Sequence, residues 1–88
     1  MARYIIKDGT YANGERYGTV TRLKSARKLC YALIMGEGKA TLNVTAIDGH
    51  LEGRAFATTG YGPLWVSDKG TFILNEDGSV TAIREGRC

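Results

Sequence analysis

Histidine, tryptophan and proline each occur once in the 88 residues, and cysteine twice. One histidine and two distant cysteines cannot form a CxxC, HExxH or Cys2His2 set, so the familiar zinc and redox motifs are excluded. Two cysteines, Cys30 and Cys88, are too few for a disulfide-dense scaffold. A single Cys30–Cys88 bridge is the alternative to two reduced thiols, and reduced thiols suit an intracellular chain. Long apolar runs are missing as well. The longest, Leu29–Met35, falls far below the roughly 18 residues of a membrane span. The apolar stretch near the start is only Tyr4-Ile5-Ile6, shorter than the core of about 7–15 residues that a secretory signal needs. These absences point to a cytoplasmic protein with no membrane partner.

Catalytic and nucleotide motifs are also lacking. His50 is the only imidazole and sits in a Gly49-His50 turn. Joining it to Cys30 and Asp48 would require a thiol on the inner face of a helix to become accessible. Gly36-Glu37-Gly38-Lys39 is not a phosphate loop, because the first glycine of that motif would fall on Leu33. The order of elements around it is helix then strand, the reverse of what such a loop needs. Gly60-Tyr61-Gly62 lacks the third glycine of a dinucleotide fingerprint, and Trp65 stands there instead. A carboxylate site around Asp48, His50 and Glu52 matches no calcium loop and reads as a polar turn. The Asn43-Val44-Thr45 sequon lies in a strand of a chain read as intracellular, so it is expected to be inert. No enzyme, cofactor or metal site is therefore expected.

Glycine is abundant, at 12 residues, which is about twice its usual share of about 7%. With so little proline this is turn punctuation, not a linker or collagen signal. Hydrophobic residues make up 43% and charged residues 24%, the balance of one ordinary globular domain over 1–88.

Periodicity places the elements. Arg3–Lys7 reads as a strand, and Asn13-Gly14 between 10–12 and 15–17 predicts a type I′ turn, giving a hairpin over 3–20. Asp8-Gly9 is a candidate bulge in it. Leu23, Ala26, Leu29, Cys30, Leu33 and Ile34 then recur at helical spacing, which predicts one helix over 21–35. Thr21 or Ser25 would cap its start, and Gly36 would close its end. From residue 39 the period drops to two, with Leu42, Val44 and Ala46 alternating with Thr41, Asn43 and Thr45. Turns at 49–50, 60–63, 68–70 and 77–78 divide 39–84 into an antiparallel meander of four to five strands. The class is α+β, one helix on an antiparallel sheet. Trp65 can serve as an interface anchor or as core; a domain this small needs it in the core.

Charge carries the functional signal. Residues 1–28 hold seven cations against two anions, a net +5, while residues 29–88 hold five against seven, a net −2. Lys24, Arg27, Lys28 and Tyr31 fall in one sector of the predicted helix. Both candidate capping boxes have lysine where glutamate or glutamine would serve, so the cations stand against the helix dipole. Arg16, Arg22, Lys24, Arg27 and Lys28, with Tyr11, Tyr17 and Tyr31 interleaved, are the candidate partner-binding residues. Aromatics beside guanidinium groups suit unpaired bases or a protein hot spot. No RNP1 segment, KH glycine loop or recognition-helix set accompanies them. The expected protein is a small binding module of the regulator or inhibitor type, engaging an acidic protein or a nucleic acid. A homodimer or larger assembly built through sheet edges is the alternative, ahead of a small enzyme with an unrecognised site.

Overall fold

The computed structural model describes residues 3–11 and 13–83. In chain order the elements are β1 (Tyr4–Asp8), β2 (Arg16–Val20), α1 (Leu23–Glu37), β3 (Thr41–Ala46), β4 (Leu51–Phe56), β5 (Leu64–Ser67), β6 (Gly70–Leu74) and β7 (Val80–Ala82). All seven strands belong to one antiparallel sheet of order β2-β1-β3-β4-β5-β6-β7, on which α1 packs. The α+β class and the N-terminal hairpin are as the periodicity predicts. The sheet has more strands than the four to five expected, because the hairpin joins the meander. The first strand, β1, pairs on one side with β2 and on the other with β3. Strands β2 and β3 therefore run the same way with β1 between them, and α1 is the crossover that joins them.

The helix lies where its apolar stripe dictates. Ala26, Cys30, Leu33 and Ile34 are buried, with Leu23 and Leu29 packed beside them. They meet Ile6 of β1, Leu42 and Val44 of β3, Ala55 of β4, Trp65 of β5 and Leu74 of β6. Each fully buried large aliphatic side chain among these contributes about 1.5–3 kcal/mol. The sheet curls about the helix, since both of its flanks touch α1. Gly18 of β2 packs against the Leu29 side chain, and Gly78, in the turn before β7, packs against the Lys24 carbonyl and the Lys28 amide. Burial pushes the Cys30 thiol up to about 12, so it behaves as a core side chain. A Cys30–Cys88 bridge lies outside the described residues, as do Cys88 and Arg84, the expected end of the meander.

Four local expectations are corrected. Gly14 does not have positive φ, and β1 and β2 are joined by residues 9–15 instead of a two-residue type I′ turn. The Asp8 carboxylate makes contacts at both ends of that connection. It accepts the Thr10 amide at 2.7 Å and the Tyr17 hydroxyl at 3.0 Å, and a Cβ on Gly14 would run into the Asp8 carbonyl. The bulge falls in β2: Ile6 pairs with Gly18 and Lys7 with Arg16, which leaves Tyr17 as the extra residue. Neither Thr21 nor Ser25 caps the helix; Arg22 occupies the N-cap position with extended backbone and no side-chain cap. At the other end Gly36 remains helical, and Gly38 takes the left-handed conformation at φ 71°. Its N–H bonds the Ile34 carbonyl, and Lys39 bonds that of Leu33.

Candidate partner-binding surface

The eight predicted partner-binding residues do not form one face. Helix α1 rises about 1.5 Å per residue, so its ends are about 20 Å apart, and the eight residues divide between them. Arg22, Lys24, Arg27 and Lys28 stand at its start. Arg16 and Tyr17 open β2, whose bulge carries Tyr17 to Lys39, just past the helix end. Tyr11 lies in the neighbouring β1–β2 connection and is 73% exposed.

At the start, Arg22, Lys24 and Lys28 are exposed, and no acidic residue occupies the first turn. The first backbone N–H groups of the helix therefore have no side-chain cap, and three exposed cations stand near them. The turn between β6 and β7 faces this corner. Arg22, Lys24, Ser25 and Lys28 share a shallow hollow of about 340 Å³ with Asp77. Asp77 is held below its usual carboxylate range mainly by the Ser79 hydroxyl at 2.6 Å and the Ser79 amide, with a smaller contribution from Lys24. The basic corner is thus partly balanced by an acid that the sequence marked only as a turn.

Arg27 departs from the exposed stripe. Its Nε donates to the Gly78 carbonyl at 2.7 Å, and its guanidinium lies over the Trp65 ring at 5.6 Å. Burial lowers its pKa. Trp65 is 3% exposed and belongs to the core. Tyr31 is half-buried against that core, and beside it Met35 is 59% exposed on the outer surface.

At the far end, Tyr17 is fixed in place. Its hydroxyl donates to Asp8, and Lys39 Nζ lies 5.0 Å from its ring centroid. Desolvation first, and then the Asp8 contact, raise the Tyr17 pKa. The Lys39 pKa is raised chiefly by Tyr17. Asp8 is held below 3.8, most by the Thr10 amide and then by the Tyr17 hydroxyl. A carboxylate depressed in the folded state contributes stability above 3.8 that is lost as pH falls through its folded value. Asp8→Asn is accordingly expected to be less stable than the parent at neutral pH, with the difference narrowing as the solution is acidified below 3.8. Urea unfolding across that range checks this.

Neither Lys39 nor Asp77 could have been found from sequence spacing, because each is brought in by strand pairing. Among the described residues no group of three or more histidine, cysteine and carboxylate side chains converges to hold a metal ion. No helix among them is long and apolar enough to cross a membrane.

These features define an α+β protein in which one antiparallel sheet wraps a helix with an uncapped, basic start. Comparison with protein-family models, curated proteins and solved structures finds no match.

Proposed function

We propose that the protein is a small non-catalytic binding module, of the regulator or inhibitor type, whose Arg22–Lys24–Lys28 corner engages an acidic surface on another protein. The observation that carries this reading is three exposed cations around the uncapped first turn of α1. Carboxylates arriving there would meet side-chain charge, free N–H groups and the positive end of the dipole together. A protein partner is favoured over nucleic acid by the placement of the tyrosines. Tyr17 is committed to Asp8 and Lys39, Tyr31 is half-buried, and Tyr11 lies near the opposite helix end. No row of stacking aromatics therefore accompanies the cations, as single-strand binding would require.

Assembly through sheet edges receives less support. The bulge at Tyr17 and the exposed Arg16 interrupt β2, and β7 is only three residues long. Both are ways in which edge strands avoid pairing with copies of themselves.

The test is a triple substitution, Arg22→Gln with Lys24→Gln and Lys28→Gln. A partner recovered after nuclease treatment should bind the triple variant about tenfold or more weakly, while the circular dichroism is unchanged. Unchanged affinity overturns the reading. Tight, steeply salt-dependent binding of oligo-dT by the parent would transfer the corner to nucleic acid.

A further inference from the structure

Arg27 and Trp65 line a second feature, away from the exposed corner. A cavity of about 220 Å³ opens between the start of α1 and the β5–β6 hairpin, with Leu23, Trp65, Phe72 and Val80 as apolar walls. Two charged side chains enter it by local devices. Arg27 is laid over Trp65 and held by the Gly78 carbonyl, which uses one of its five N–H donors. Neither terminal nitrogen has a hydrogen-bond partner among the described residues. Glu52 comes from β4, where strict alternation with the buried Gly53 and Ala55 would place it on the opposite face of the sheet. A bulge intervenes. Val44 pairs with Gly53 and Thr45 with Leu51, so Glu52 is the extra residue, and it lines the cavity. Asp68 and Lys69, from the β5–β6 turn, complete the mouth with one charge of each sign.

The walls are therefore apolar and aromatic, and the entrance carries balanced charge. A simple anion would gain from Arg27 but face Glu52 and Asp68, and a simple cation would meet the converse. A molecule bearing an ammonium and a carboxylate on one carbon satisfies each. The volume equals roughly seven water molecules, the scale of a ligand with fewer than about ten heavy atoms. We propose that this cavity binds a free apolar α-amino acid, its carboxylate on the Arg27 terminal nitrogens, its ammonium toward Glu52, and its side chain among Leu23, Phe72 and Val80. An arginine half-buried and pre-oriented over an aromatic face gives a strong, directional carboxylate contact. The site stands independently of the basic corner.

Trp65 is the only tryptophan in the chain, so its emission reports on the cavity directly. The probes are L-leucine, 4-methylpentanoate (leucine without its ammonium) and isoamylamine (leucine without its carboxylate). Binding is followed by Trp65 emission and by amide chemical shifts of Leu23, Glu52 and Phe72. Leucine is expected to saturate at millimolar concentration, and each half-molecule to bind about tenfold or more weakly. Arg27→Gln should abolish the preference for leucine over isoamylamine, and Glu52→Gln the preference for leucine over 4-methylpentanoate. Glu52→Gln lies at the mouth and carries the test if Arg27→Gln fails to fold. No response to leucine in either readout overturns the proposal. So does equal binding of leucine and either half-molecule, or selectivity that survives Glu52→Gln.

Discussion

Gly53→Ala is expected to lower stability by about 2–4 kcal/mol, read as a fall in the urea midpoint followed through Trp65 emission. Gly53 is buried in β4, and the indole of Trp65 packs against it. A Cβ there would come within 2.6 Å of Cη2 and 2.7 Å of Cε2 of Trp65, with Cζ2 closer still. The next inward residue of β4 is Ala55, the direct cross-strand partner of Trp65. Strand β4 thus presents its two smallest side chains where the largest side chain of the chain must fit. The methyl group can be accommodated only by moving the indole, which disturbs its contacts with the core and with Arg27. The indole must leave its site, and emptying an aromatic site costs about 3–5 kcal/mol when nothing refills it. Domains of this size are stable by only about 4–13 kcal/mol, so one methyl group removes a large share. Gly36→Ala is the matched control. Nothing lies within 4 Å of its added Cβ, and the residue is helical, so a gain of about 0.5–1 kcal/mol is expected.

The second large effect is expected at Gly78→Val, a loss of about 2–4 kcal/mol. Gly78 has φ 90°, a conformation that L side chains rarely adopt. Its Cα also rests on the helix backbone: a Cβ would overlap the Lys24 carbonyl and lie 3.1 Å from the Lys28 amide. The strained valine would drive the β6–β7 turn away from α1 and break the Arg27–Gly78 hydrogen bond with it. A double-mutant cycle with Arg27→Gln separates these contributions. Because both substitutions remove the same contact, their combined cost should fall short of the sum by about 0.5–3 kcal/mol. Strict additivity would mean that Arg27 does not tie the turn to the helix.

How far the sequence reveals this molecule depends on the range of the interaction that decides each feature. The helix was legible because the spacing of Leu23, Ala26, Leu29, Cys30, Leu33 and Ile34 is a local property, and so were the strands after it. Helix ends were less so. Gly36 and Gly38 are equally good glycines, and only the backbone geometry selects Gly38. Strong turn chemistry at Asn13-Gly14 lost to a longer connection, beside which the Asp8 carboxylate accepts the Thr10 amide and the Tyr17 hydroxyl. Bulges at Tyr17 and Glu52 are properties of strand pairs, not of strands, and no single-strand pattern encodes them. For the candidate surface, net charge identified the cations of the first third but not their partition. Arg27 shares a helical sector with Lys24 and Lys28, yet the presence of Trp65 beneath it converts a surface position into a wall of the cavity.

The position of β1 has a consequence for synthesis. Although early in the chain, it is an interior strand, and one of its edges is closed only by β3. Thr41 follows Val20, where the hairpin is complete, by 21 positions. At about 5–20 residues per second, a ribosome needs roughly 1–4 s to add that length. For that interval the hairpin carries an open edge bearing Ile6, which ends fully buried. Helix α1, complete four positions before Thr41, can cover Ile6 on the face of the hairpin, but the edge of β1 stays open to pairing with neighbouring chains until β3 arrives.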